Sequence, residues 1–106
     1  MAYENAPEGF VRVRMPRGKE TIGMVEALLG ANKLSIRCQD EKLRICRIPG
    51  RLKRSLWVRE GNIVVVEPWE LGGDEKGDII YKYTNAQTSY LKRKGHLKAL
   101  EDTEEF

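Results

Sequence analysis

Apolar and polar positions alternate in short runs along most of this chain, the period of strands and not of helices. From Thr21 to Leu29, Val25, Ala27 and Leu29 fall to one face, and Gly30 and Asn32 punctuate the end. Gly23 inside this run predicts a bulge or a sharply coiled strand. Leu34, Ile36 and Cys38 then alternate with Ser35, Arg37 and Gln39, the pattern of a half-buried strand. Asp40-Glu41 turns the chain into a third strand, Leu43 to Ile48, forming a hairpin. Both faces of that strand carry apolar groups. Leu43 and Ile45 share parity with Arg47, while Cys46 and Ile48 share it with Arg44, so alternation leaves the buried face open.

Pro49-Gly50 breaks the alternation, and the spacing becomes helical from Arg51 to Val58. Leu52 and Leu56, four apart, face the core of such a helix. At about 100° per residue, Lys53, Arg54 and Trp57 share the opposite side. One or two turns do not hold by themselves, so the helix depends on the body beneath it. After the turn Glu60-Gly61-Asn62 comes Ile63-Val64-Val65-Val66, the most β-branched run in the chain and a fourth strand. Pro68 ends it, residues 70–77 form a polar loop, and Asp78 to Tyr83 makes a fifth strand. Tyr81 and Tyr83 share a face there, one expected buried and one at the rim. Trp69 reads as a packing residue. Asn85 is placed to cap a final helix of about residues 86–94, stopped by Gly95, with Tyr90 and Leu91 as its docking stripe.

Five short strands without α/β alternation predict an all-β fold with short helices. The expected architecture is a five-stranded OB-fold barrel, with a short helix between strands three and four and a C-terminal helix. The division that follows is a flexible, partly basic arm over 1–19, the barrel over 20–84, the C-terminal helix over 85–96 and an acidic tail over 97–106. The 106 residues suffice for one core. With 41% hydrophobic and 33% charged residues the composition is that of an ordinary globular domain. No apolar run approaches the ~20 residues of a membrane span. Met1 to Gly9 lacks an apolar signal core, so a cytoplasmic monomer with no membrane partner is expected.

Candidate chemistry is sparse. Cys38 and Cys46, with only His96 to join them, fall short of a four-ligand zinc site and suit free thiols on neighbouring strands. There is no glycine-rich phosphate loop, no recognisable pair of metal carboxylates and no nucleophile partnered with His96. Neither catalysis nor a metal or cofactor is expected.

Charge changes the picture. The overall +3 conceals a segment, Lys42 to Arg59, that holds seven cations (Lys42, Arg44, Arg47, Arg51, Lys53, Arg54 and Arg59) and no acid. The remainder, with twelve basic residues against all sixteen acidic ones, is net −4. A single-sign patch containing one aromatic, Trp57, is the footprint of a nucleic-acid binder. Guanidinium groups pair with phosphate through two parallel hydrogen bonds, and aromatic faces stack on bases without demanding a sequence. For Trp57 two roles stay open, stacking on a base or covering the end of the barrel.

The stretch Cys46-Arg47-Ile48-Pro49-Gly50-Arg51-Leu52-Lys53-Arg54-Ser55-Leu56-Trp57-Val58 resembles the central motif of translation initiation factor 1A in its archaeal form. Further likenesses are Met15-Pro16-Arg17-Gly18, Gly77-Asp78-Ile79-Ile80-Tyr81-Lys82-Tyr83-Thr84, and Gln87 with Leu91-Lys92-Arg93-Lys94-Gly95, so the resemblance runs in order over residues 15–95. It implies an OB-barrel factor that binds the small ribosomal subunit at its A site, against ribosomal RNA of the decoding region. It further implies promotion of subunit dissociation and indirect stabilisation of initiator methionyl-tRNA. Carried over by position, the RNA-facing residues are Arg47, Arg51, Lys53, Arg54 and Trp57, with Lys42, Arg44 and Arg59 as further candidates. The family usually has Gly where Glu41 stands and often Asp where Asn62 stands. Glu104-Glu105-Phe106 is similar to an acidic, hydrophobic end that meets the subunit-joining translational GTPase. Two other classes fit the basic patch: a general single-strand binder of the cold-shock or S1 kind, and a protein-interaction adaptor. The first usually displays aromatics on strands two and three, and Leu34 to Ile48 has none.

Overall fold

The β-branched and alternating runs become seven strands, whose register decides which side chains meet a ligand. A computed structural model describes residues 3–5, 12–53 and 56–101. Strands β1 (Tyr3–Asn5) and β2 (Arg12–Arg14) pair with each other. Strands β3 (Thr21–Gly30), β4 (Lys33–Cys38), β5 (Leu43–Arg47), β6 (Ile63–Pro68) and β7 (Lys76–Lys82) form a closed barrel in the order β3-β4-β5-β7-β6. All pairings in it are antiparallel except β5 with β7, a parallel seam of three residue pairs ending in Arg47 opposite Asp78. Two helices follow, α1 (Asn85–Arg93) and α2 (Lys98–Glu101). This is the five-stranded OB architecture that the alternation predicts.

Two apolar clusters explain why β6 is apolar at every position from Ile63 to Val66. Val64 and Val66 join Val25, Leu34, Ile36, Cys38, Cys46 and Ile79 inside the barrel. Ile63 and Val65 point the other way, to a second cluster with Val13, Ile22, Tyr83, Tyr90, Leu91, Leu97 and Leu100. A strand buried on both faces cannot alternate. The Tyr83 hydroxyl donates to the carbonyl of Arg14, and its ring meets Tyr81 edge-on at 5.1 Å, with Tyr81 half-buried as expected.

Several local expectations change. Register shifts in β3 lie between Val25 and Ala27 and between Leu28 and Gly30, both past Gly23, and Leu29 is exposed. Gly23 serves close packing instead: a Cβ there would stand 2.5 Å from Ile36 Cγ2 and 3.1 Å from the Arg37 carbonyl. Among the described residues, the expected helix between β5 and β6 is a 3-10 turn, Gly50–Leu52, with one further bond from Leu56 N–H to the Leu52 carbonyl; residues 54–55 lie outside them. Pro49 supplies no side-chain cap to this turn. The cap of α1 is Thr84, not Asn85. Its side chain accepts from Gln87 N–H while the Gln87 side chain accepts from Thr84 N–H, a reciprocal capping box. Gly95 (φ +81°) ends that helix as expected.

At the two ends of the chain, the expected arm lies partly outside the described residues, as do residues 102–106. Within them, Val13 is buried in the outer cluster, and so are Leu97 and Leu100, which the polar C-terminal sequence concealed.

Candidate nucleic-acid interface

β5 settles the question that alternation left open. Cys46 faces the barrel interior, so Arg44 faces inward and Arg47 outward. Arg44, 3% exposed, tolerates that position because every arm of its guanidinium is occupied. Nη1 and Nη2 donate to the two oxygens of Asp40 at 3.1 and 2.8 Å, and Nε donates to the Gly73 carbonyl. Burial opposes ionisation of Asp40. The hydrogen bonds and charge of Arg44, with the Lys42 N–H, outweigh it and hold the carboxyl below its ordinary range. Arg44 is therefore a latch between the β4–β5 turn and the 70–75 loop, and it does not share a surface with the RNA-facing candidates. Lys42 lies at the same end of β5, where its ammonium pairs with Asp74 at 3.3 Å. An unpaired buried guanidinium is prohibitive, and that of Arg44 is paired on every arm.

Arg47 ends β5 on the outer face, its side chain 59% exposed. One row of the sheet reads Lys33, Arg47, Asp78, Glu67 across four strands. Arg47 Nε donates to Asp78 Oδ1 at 3.1 Å, and the same oxygen accepts from Trp69 Nε1 at 2.9 Å. The guanidinium lies over the Trp69 ring, 5.0 Å from Cζ to the centroid, within cation–π range. Trp69 is thus a packing residue, as the sequence suggests, but what it packs on is the principal basic candidate of the strand.

Next to Arg47 runs a groove of about 450 Å³ between the β3–β4 hairpin tip and the 3-10 turn. Lys33, Arg47, Arg51 and Lys53 line it, and its single acid is Asp78. Among the described residues, Lys33, Arg51, Lys53 and Arg59 take part in no ion pair. Ala31 and Asn32 adopt positive φ at the hairpin tip, which sets Lys33 directly opposite Arg47. Lys33 lies outside the basic segment seen in the sequence, and only the strand register reveals it.

Trp57 is 76% exposed, and its backbone carbonyl accepts from Lys82 Nζ at 2.6 Å. The barrel interior is closed without it, by Ile48, Leu56 and Val58 packing on the inner cluster. Arg59 is also exposed and begins a turn in which Asn62 Oδ1 accepts its N–H at 2.7 Å. An Asp at position 62 would offer the same acceptor. Arg54 lies outside the described residues. The site brings together Arg47, Arg51, Lys53 and the unforeseen Lys33, presents Trp57 and Arg59 to solvent, and leaves Lys42 and Arg44 elsewhere. Guanidinium and ammonium donors can pair with phosphates, and an exposed indole can stack on a base.

Residues 11–105 match the family model described as Translation initiation factor 1A / IF-1. The chain is 49% identical over 100 residues to translation initiation factor 1A of Methanococcus maripaludis strain C5, covering 92% of this chain and 97% of that one. It is 46% identical over 96 residues to the factor of the same name from Pyrococcus abyssi, covering 91% and 80%. Among solved structures it is similar to translation initiation factor IF-1 from the Wolbachia endosymbiont of Brugia malayi. That likeness has a TM-score of 0.51 and 30% identity, over 65% of this chain and 82% of that one.

Proposed function

The chain belongs to the translation initiation factor 1A / IF-1 family, and we propose that it serves translation initiation by binding the small ribosomal subunit at its A site through ribosomal RNA. The groove cations Arg47, Arg51 and Lys53 contact phosphates of the decoding region, Arg54 and Arg59 extend the same contact, and Trp57 stacks on a base. In this reading the factor works in the cytoplasm, promotes subunit dissociation and stabilises initiator methionyl-tRNA without touching its chemistry. The acidic end Glu104-Glu105-Phe106 meets the subunit-joining GTPase.

One observation carries the reading: Trp57 stands 76% exposed in the same basic segment as Arg51, Lys53 and Arg59, which take part in no ion pair among the described residues. An exposed indole next to unpaired charge gains nothing in a free protein, whereas an RNA surface satisfies both at once.

Sedimentation with isolated small subunits over a range of salt tests it. Each neutralised phosphate releases counterion, so four or five engaged cations give a log–log slope on the order of −3 to −4. A slope near zero overturns the reading. Full competition by poly-U replaces it with a general single-strand binder.

A further inference from the structure

Arg47 differs from the other groove cations in being held. Its Nε–H is committed to Asp78 Oδ1, and its plane lies over Trp69, whose own N–H is tied to that same oxygen. Trp69 in turn is anchored through its backbone N–H, which donates to the Lys76 carbonyl at 3.1 Å across the β6–β7 connection. Two side chains thus restrain the guanidinium, one through its Nε–H and one through its Cζ 5.0 Å from the indole centroid, and its two terminal amino groups stay available on a side chain 59% exposed. A carboxylate set in a cationic groove lowers the local potential. As a simple charge, Asp78 would weaken attraction for RNA.

We infer that Asp78 and Trp69 are positioning residues that hold Arg47 in one orientation, so that it reads a folded RNA phosphate through two parallel bonds while discriminating against unstructured strands. The inference rests on the functional reading above. Arg is suited to this because its donors form a rigid fork, and orienting the fork beforehand removes the ordering cost at binding. The carboxylate exchanges some non-specific attraction for geometric selectivity. Poly-U, which can adapt its backbone to any array of cations, gains nothing from the fixed orientation.

Charge and geometry make opposite forecasts for Asp78→Ala. The test measures binding of the unaltered chain, Asp78→Ala, Asp78→Asn, Arg47→Lys and the Arg47→Lys/Asp78→Ala double variant. Each is titrated with isolated small subunits and with poly-U at one salt concentration, alongside thermal melts. Asp78→Ala is expected to bind small subunits about 2- to 10-fold more weakly, the range that ordering one long side chain spans. It should bind poly-U equally or more tightly. Arg47→Lys, with charge kept and fork lost, should show a similar loss on subunits, and the double variant little more than either alone. Asp78→Asn keeps the acceptor and should fall between; it stands in should Asp78→Ala melt abnormally. Tighter binding of both ligands by the Asp78 variants overturns the positioning role alone. Failure of the unaltered chain to bind small subunits overturns the functional reading and this inference with it.

Discussion

Arg44 and Asp40 face each other across the β4–β5 turn as a two-pronged pair, Nη1 to Oδ1 at 3.1 Å and Nη2 to Oδ2 at 2.8 Å. The arginine is buried and the aspartate 38% exposed, so solvent screens one end of the pair and leaves the other dependent on it. Asp40→Ala should cost roughly 2–3 kcal/mol, below the range for fully buried pairs because of that screening. The carboxyl is held below its ordinary 3.8, so its contribution is complete above that value and is lost as pH falls through the folded-state value. Melts between pH 2 and 6 should show acid destabilisation that Asp40→Asn lacks. Equal acid sensitivity in the two proteins would contradict the latch.

Trp57 and Trp69 should respond in opposite ways to truncation. Trp57 is largely exposed, so Trp57→Ala should leave the melt within about 0.5 kcal/mol of the parent. It should weaken small-subunit binding by about 1–3 kcal/mol, the worth of one stacked base. Trp69→Ala should lower the melting temperature, since Asp78 and Arg47 lose their shared partner. Calorimetry beside subunit titration separates the two, and a Trp57→Ala protein that melts early would return that side chain to the barrel.

Glu41 occupies the left-handed region at φ +69°, where an L side chain costs about 1–2 kcal/mol that Gly avoids. Gly also loses more backbone entropy on folding, which offsets part of the gain. Glu41→Gly should therefore stabilise by about 0.5–1 kcal/mol in urea melts and leave RNA binding unchanged. Destabilisation would mean that the turn has uses for the Glu side chain.

The two thiols should be inert in the native protein. Burial pushes Cys46 up to about 12 and also raises Cys38 above its ordinary 9.0. Alkylation at pH 8 should proceed no faster than global unfolding. A raised folded-state value means the thiol favours the fold fully below about pH 9 and loses that contribution as pH rises towards 12. Cys46→Ala should lack that part of the alkaline decline in stability. Rapid labelling of native protein would show that the barrel interior is open.

What the sequence disclosed, and what it withheld, follows one physical division. Runs whose burial depends on a single face, Leu34 to Cys38 above all, declare themselves by alternation, and Ile63 to Val66 does so by β-branching. Side chains whose environment is made by distant chain do not. Arg44 looks like a surface cation until Gly73 and Asp40 close around it. Leu97 and Leu100 look like tail residues until the outer cluster receives them. Thr84 outcompetes Asn85 as a cap because Gln87 stands three residues on, a capping box that is written in the sequence. In the candidate interface, the basic stretch and Trp57 were legible as composition, and the family motif suggested the ligand proposed for them. Lys33, Asp78 and Trp69 become neighbours of Arg47 only through strand register, which alternation does not specify.

The shortest ladder in the barrel is the parallel seam, and Arg47 and Asp78 are its last pair. Closure of the barrel and placement of the exposed Arg47 guanidinium therefore depend on the same pair of strands. Any opening of the seam would part Arg47 from Asp78, the partner that holds it over Trp69. By linkage, a ligand that binds Arg47 only in its held orientation would favour the closed seam. Occupancy of the interface should thus be audible from inside the molecule, as slower amide exchange along β5 and β7 at Ile45 and Cys46 as well as at Arg47 itself.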